Sequence, residues 1–152
     1  MSLDRGQLLK DACDQAIDDP SFAPAAGLTH CNQAVQMIAS IMGYSGFAGL
    51  LADQMVALMA SSPDWRIATG SEAAVYALSG GLAVAGMASK RLGEAHGHVT
   101  VVYPLGMGHS GSLGRDVPMV ANVGKFCGIC VSTEAFPVAV GEAEYWLWSP
   151  AE

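Results

Sequence analysis

The order of its sequence patterns is what most constrains the fold of this chain. Helical patterns of apolar residues come first, at residues 7–18, 31–42, 47–60 and 71–78. Runs typical of strands follow, at 82–87, 98–103, 118–123, 128–131 and 144–148. Helices that precede strands, rather than alternating with them, favour an α+β domain whose N-terminal helices pack on a small antiparallel β-sheet.

Length and composition predict one folded domain over residues 1–152. The chain has 152 residues, of which 51% are hydrophobic and 14% charged, so it can bury a core and disorder is not expected. Residues 1–28 are predicted to form an N-terminal helix and loop, and residues 29–149 the core of the domain. The Gly- and Ser-rich stretch 105–116 predicts a loop that flanks a cleft.

The charge and hydropathy patterns exclude several partners. The net charge of −7, without a Lys/Arg run, predicts that the chain does not bind nucleic acid. No unbroken run of about 18 apolar residues occurs, so membrane insertion is not expected. Residues 1–5 lack a basic segment followed by an apolar one, so no signal peptide is predicted there. Oligomeric state cannot be predicted from these patterns.

Cys31 begins the second helical pattern and is the first candidate for chemistry. The positive end of a helix dipole favours a thiolate, the nucleophilic form of cysteine. That effect is worth about 0.3–2 kcal/mol, and one pKa unit is about 1.4 kcal/mol, so the dipole lowers the pKa by about one unit at most. An imidazole partner must supply the rest. A buried structural cysteine is the alternative at this position.

His98 and Asn122 are the candidate partners of that thiol. His98 opens the clearest strand pattern, from which it could project towards a helix terminus. Asn122 lies in the next strand pattern, and a hairpin between the two would let its amide orient the imidazole. A solvated histidine and a turn asparagine before Gly124 are the alternatives.

These motifs resemble the NlpC-like and CHAP-like papain-fold amidases of bacterial cell-wall metabolism. The similarity rests on three segments, Thr29-His30-Cys31-Asn32, Gly97-His98-Val99-Thr100-Val101-Val102 and Ala121-Asn122-Val123-Gly124. The resemblance implies a papain-like domain in which Cys31 is the nucleophile, His98 the base and Asn122 the residue that orients it. The residues flanking this triad are predicted to contact the substrate: Thr29, His30, Asn32 and His96.

The reaction that the resemblance implies is hydrolysis of an amide or peptide bond in peptidoglycan stem peptides. It would pass through a thioester acyl-enzyme and need neither a metal nor an organic cofactor. A protein of this kind would act on the cell envelope, as a secreted, periplasmic or phage-associated enzyme. An acyl-enzyme resolved by an amine instead of water would make the chain a thiol acyltransferase, and this alternative stays open.

Two non-enzymatic functions also stay open. Cys127 and Cys130 have a zinc-like spacing to which His96 and His98 could add imidazoles, although a strand would point the two cysteines to opposite faces. The fold could otherwise serve binding alone, through a surface built from Phe47, Trp146 and Trp148. The scattered acidic residues are expected to be solvated or capping groups: Asp53, Asp64 and Glu72. The four cysteines are expected to be reduced.

Overall fold

The computed structural model describes residues 4–25 and 29–150. Its helices are α1 (Arg5–Asp18), α2 (Cys31–Ile41), α3 (Ala52–Ser61), α4 (Gly70–Leu78), α5 (Ser89–Leu92) and α6 (Ser132–Ala135). Its strands are β1 (Trp65–Ala68), β2 (Ala83–Met87), β3 (His98–Ser110), β4 (Arg115–Val123), β5 (Cys127–Val131) and β6 (Glu144–Trp148). Short 3-10 turns cover Pro20–Phe22 and Val138–Val140.

The strands form one six-stranded sheet in the order β1-β6-β2-β3-β4-β5. Every neighbouring pair is antiparallel. The predicted α+β class with an antiparallel sheet is therefore confirmed. The last strand, β6, lies between β1 and β2, so the C-terminal part of the chain completes the interior of the sheet.

The core lies between the sheet and the longer helices. The buried positions of α2 recur at the spacing of one helix face: Cys31, Ala34, Val35, Ile38 and Ala39. This apolar stripe docks α2 on β3. Within the described ranges, no helix is long and apolar enough to cross a membrane.

The segment predicted as a loop at 105–116 is mostly strand, so that prediction is wrong. β3 continues to Ser110 and β4 begins at Arg115, which leaves a tight turn at 111–114. The register between the two strands shifts between Val102 and Met107, and Gly106 has a φ of +83° there. A bulge thus accommodates Pro104 and Gly106 within one long strand.

Two helix boundaries also differ from the sequence prediction. The helix predicted from residue 47 begins at Ala52, because Gly49 has a φ of +76°, which a helix does not tolerate. Helix α4 is capped by Thr69, one residue before its start. The Thr69 hydroxyl accepts from Glu72 N at 3.1 Å, and the Glu72 carboxylate accepts from Thr69 N at 3.0 Å. Glu72 is thus a capping group, as predicted.

The aromatic residues predicted to form a partner surface lie mainly in the core. Phe47 is 1% exposed and Trp146 is 2% exposed. The Phe47 ring packs against Tyr44 and Trp65, with ring centroids 4.8 and 5.3 Å apart. Trp65 itself belongs to β1, a strand that the sequence analysis did not predict. Two of the three residues proposed for that surface are therefore buried, and the prediction of an exposed aromatic surface is wrong.

Replacing Phe47 with alanine is expected to lower the free energy of unfolding by about 3–5 kcal/mol, because it empties a buried aromatic site. Urea denaturation measures this change. Val75→Ala is the matched control, since Val75 is 67% exposed on α4 and its truncation should change stability by less than about 0.5 kcal/mol. Equal losses in the two variants would contradict the buried position of Phe47.

Candidate active site

Cys31 is the first residue of α2, as the sequence predicts. His30 occupies the N-cap position, and no side chain in the described part of the protein caps this helix. The first helical main-chain bond runs from Ala34 N to the His30 carbonyl oxygen, at 3.0 Å. The N–H groups of the first turn therefore have no partner within the helix.

His98 and Asn122 meet through the pairing of β3 with β4. Val101 lies opposite Ala121, and continuing that register places Thr100 opposite Asn122. His98 Nε2 is 2.7 Å from Asn122 Oδ1. The predicted hairpin therefore does bring the asparagine to the histidine.

The Asn122 amide determines the protonation of the imidazole. Asn122 Nδ2 donates to the Phe126 carbonyl oxygen at 2.9 Å, which turns Oδ1 towards His98. An amide oxygen can only accept, so His98 Nε2 must carry the proton in this bond. In the neutral imidazole, Nδ1 then keeps a free lone pair and can act as a base.

The His98 ring is held from two further sides. It packs against Phe136, with ring centroids 5.0 Å apart. On another side it faces Gly124, where a Cβ atom would lie only 3.1 Å from His98 Cε1. A larger residue at position 124 would therefore push the imidazole out of place. The sequence analysis missed both contacts; only the register across the hairpin could have pointed to Gly124.

The Cys31 sulfur lies at the strand end that carries His98. Backbone N–H groups of Val99, Asn32 and Cys31 itself favour the charged form of the thiol. Val99 is the residue directly after His98. The pairing of β3 with β4 runs from the hairpin turn to Val101, so Val99 lies beyond its end. The N-terminus of α2 thus joins the sheet where the base begins β3.

Burial nevertheless raises the pKa of the Cys31 thiol, and the three N–H groups only partly oppose it. The N–H groups at the helix start lower this pKa, as expected, but the loss of solvation outweighs them. Burial likewise lowers the pKa of His98, which the Asn122 hydrogen bond and Glu94 partly restore. At neutral pH the resting pair is a thiol and a neutral imidazole.

A groove of about 490 Å³ opens on the imidazole side of the site. The predicted residues that line it are Thr29, His96, His98 and Asn122. Its walls also include side chains that the sequence analysis did not identify: Leu92, Glu94, Lys125, Phe126, Glu134 and Phe136. Cys31, which is 6% exposed, is not among the described residues that line the groove.

The other two predicted substrate contacts have partners within the protein. His30 Nδ1 is 2.6 Å from Gln33 Oε1. Asn32 Nδ2 donates to the Leu50 carbonyl oxygen at 3.2 Å, and Gln36 donates to the same oxygen at 2.8 Å. Asn32 therefore ties α2 to the turn before α3. A role of His30 or Asn32 in substrate binding remains a prediction.

The cysteines of β5 point to different environments. Cys130 is buried, whereas Cys127 is half-buried and its sulfur lies 3.6 Å from the Phe22 carbonyl oxygen. Over residues 4–25 and 29–150, no group of three or more His, Cys, Asp or Glu side chains is placed to hold a metal ion. All four cysteines are free thiols, as expected.

No protein-family model matches the chain, and no curated protein sequence matches it either. The function must therefore be inferred from the geometry around Cys31 and His98.

Lowering the pH from about 7 to 5 is expected to reduce the free energy of unfolding. In the unfolded chain the imidazole of His98 binds a proton near pH 6.5. In the folded protein burial lowers the pKa of His98, so the imidazole binds the proton only at a lower pH. The stability contributed by neutral His98 is complete above about pH 6.5 and is lost as the pH falls through the folded-state pKa. The slope reaches at most about 1.4 kcal/mol per pH unit.

Urea denaturation at stepped pH measures this effect. His98→Gln is the control, because an amide can still bond to Asn122 but does not titrate. The free energy of unfolding of the variant should change less between pH 7 and 5 than that of the wild type. Parallel curves for the two proteins would show that His98 is not held in its neutral form by the fold.

Proposed function

We propose that this chain is a papain-like cysteine hydrolase that cleaves an amide bond. Cys31 is the nucleophile, His98 the general base and acid, and Asn122 the residue that orients the imidazole. The bond between His98 Nε2 and Asn122 Oδ1 carries this proposal, because it leaves Nδ1 as the basic nitrogen of the imidazole. His98 directly precedes Val99, whose backbone N–H favours the charged form of the Cys31 thiol.

The first half of the reaction forms a thioester. Because the thiol and the imidazole are both neutral at rest, the proton passes from Cys31 Sγ to His98 Nδ1 as the sulfur attacks the carbonyl carbon. The oxyanion that forms accepts hydrogen bonds from first-turn N–H groups of α2. The C–N bond then breaks, and the amine leaves with the proton from Nδ1.

The second half hydrolyses the thioester. A water molecule transfers a proton to Nδ1 and its oxygen attacks the same carbonyl carbon. Collapse of this second oxyanion breaks the C–S bond. The product leaves as a carboxylic acid and the sulfur recovers its proton, so the enzyme returns to its starting state without an external cofactor.

The proposed substrate is a stem peptide of peptidoglycan. The resemblance of the three motifs to cell-wall amidases supports this choice, and it places the activity at the cell envelope. A groove of about 490 Å³ beside His98 is within the size range of small-ligand sites, about 300–1,000 Å³. It can hold the residues that flank one scissile amide.

A non-catalytic binding domain is the second candidate function, and the burial of Cys31 favours it. A sulfur that is 6% exposed, with a raised pKa, has the properties of a structural thiol. In this case the pair of His98 and Asn122 would only shape the groove. The reactivity of the thiol separates the two candidates.

Cys31→Ala is expected to abolish release of peptide fragments from purified peptidoglycan, because the acyl-enzyme can no longer form. His98→Gln is expected to lower the rate by about 10²–10⁴-fold, the usual contribution of a general base. Mass analysis of the soluble fragments measures both. In ¹⁸O-water each new carboxyl group should contain one ¹⁸O atom, whereas transfer to an amine would leave none.

Full activity of a folded Cys31→Ala protein would assign the nucleophile to another residue. Circular dichroism and thermal unfolding verify that each variant is folded. Because burial lowers the pKa of His98, the acid limb of the wild-type rate is expected below about pH 6.5. An acid limb above that value would contradict the neutral resting imidazole.

Cys31 is expected to react with iodoacetamide at least tenfold faster than Cys130 at pH 7.5. The two cysteines are matched in residue exposure, at 6% each. Burial and Glu134 raise the pKa of Cys130 to about 12, and the proposed mechanism gives Cys130 no imidazole partner. Mass mapping of each alkylated peptide gives the two rates. Equal rates, unchanged by His98→Gln, would favour the binding domain.

A further inference from the structure

Asp53, in the first turn of α3, binds the start of α5 with both oxygens of its carboxylate. Asp53 Oδ1 accepts from Ser89 N at 2.7 Å, and Asp53 Oδ2 accepts from the Ser89 hydroxyl. Ser89 lies two residues after the end of β2. The two residues are 36 positions apart in sequence, so this contact fixes the loop that leaves β2 against a separate helix.

The same carboxylate lies against Gly97. A Cβ atom on Gly97 would fall well inside van der Waals distance of Asp53 Oδ1 and would be 3.0 Å from the Met87 carbonyl oxygen. Gly97 is buried. Only a residue without a side chain fits between Asp53 and the end of β2, and that residue directly precedes His98.

Asp53 therefore binds one end of a connection and lies against the other end. The segment 88–97 leaves the sheet after Met87 and returns at His98, and these two residues are paired across β2 and β3. The connection also supplies one wall of the groove, through Leu92, Glu94, Ala95, His96 and Gly97. A shift of its ends would move the imidazole and this wall together.

We infer that Asp53 is a positioning residue for His98, acting through Ser89 and the close approach at Gly97. This inference rests on the proposed function, since it concerns the placement of the proposed base relative to Cys31. Asp53 bonds to the backbone and hydroxyl of Ser89 and touches no reacting atom. Its effect is geometric, and displacement of a catalytic group by about 1 Å can cost about 100-fold in rate.

The test measures alkylation of Cys31 and Cys130 by iodoacetamide in the full chain, by mass mapping, from pH 5 to 9. Asp53→Ala is expected to slow the alkylation of Cys31 by about 10- to 100-fold, towards the rate in His98→Gln. It should also remove the pH dependence of this rate that His98 confers. Asp53→Asn keeps an acceptor for Ser89 N and should restore most of the rate. Cys130 should be unchanged in both.

A second pair of variants uses the close approach at Gly97. Gly97→Ala should slow Cys31 as well, because the new methyl group strikes Asp53 Oδ1. In the double variant Asp53→Ala/Gly97→Ala that oxygen is absent, so the methyl group gains room. Cys31 in the double variant should therefore react no more slowly than Cys31 in Gly97→Ala alone. Two independent defects would instead multiply, and Cys31 would then react more slowly in the double variant than in either single variant.

Glu72→Ala is the matched control, since Glu72 is also an acidic first-turn residue in a cap but lies on α4, away from residues 88–97. It should leave Cys31 at the wild-type rate. If Asp53→Ala leaves Cys31 unchanged while His98→Gln slows it, the positioning role is wrong and the proposed function stands. If His98→Gln also has no effect, the proposed function itself fails.

A purely structural role for Asp53 has a distinct signature. Loss of folding would expose buried thiols, so Cys31 and Cys130 would both react faster in Asp53→Ala. That result would overturn the inference, because mispositioning slows Cys31 alone.

Discussion

The register between β3 and β4 is the constraint on which the candidate site depends. Near the hairpin turn Met107 lies opposite Pro118, whereas closer to the site Val102 lies opposite Val120. Five residue steps along β3 therefore correspond to two residue steps along β4, so the register shifts by three residues. Without the shift, Asn122 would lie opposite Tyr103 instead of Thr100. Tyr103 is five residues from His98 and on the other face of β3, so the pair could not form.

The segment that produces this shift, residues 103–106, overlaps the start of the stretch whose composition predicts a loop. Pro104 cannot donate to a ladder, and Gly106 adopts a left-handed φ, so both break regular pairing. In this fold they form a bulge inside a long strand rather than a connection between strands. The irregular residues of β3 therefore set the geometry of the regular ones that carry the chemistry.

Burial, rather than the helix dipole, sets the charge state of the site. Backbone N–H groups at the start of α2 favour a thiolate, and the Asn122 bond favours an imidazolium, but removal from water opposes both charges. A buried ion pair is stable only with good geometry and additional hydrogen bonds. In the proposed reaction, the neutral pair avoids this cost at rest, and charge develops only as a substrate carbonyl accepts the sulfur.

Local patterns predict the parts of the site that depend on short stretches of sequence. The helical pattern that begins at Cys31 predicted the position of this residue at a helix start. The β-branched run predicted that His98 begins a strand. The pairing of consecutive strands brought Asn122 to the histidine. These features depend on side-chain period and on neighbouring elements, which the sequence displays directly.

The features that sequence analysis missed depend on distant packing. Phe47 and Trp146 have the same hydrophobicity whether they lie in the core or on a surface, and only the arrangement of α3, β1 and β6 buries them. Strand β1 has four residues, with Arg66 exposed, so it lacks a strong strand pattern. Asp53 was expected to be a solvated or capping group. Its partner Ser89 belongs to another helix, a contact that no local pattern could show.

The sheet and its connections contribute different parts of the site. Strands β3 and β4 fix His98 and Asn122, and the docked stripe of α2 fixes Cys31. The walls of the groove come from the connections 92–97, 124–126 and 133–137. Connections tolerate sequence change better than packed strands do. If the proposed function is correct, this arrangement lets substrate preference vary in the walls while the core controls the distance between the proposed base and the proposed nucleophile.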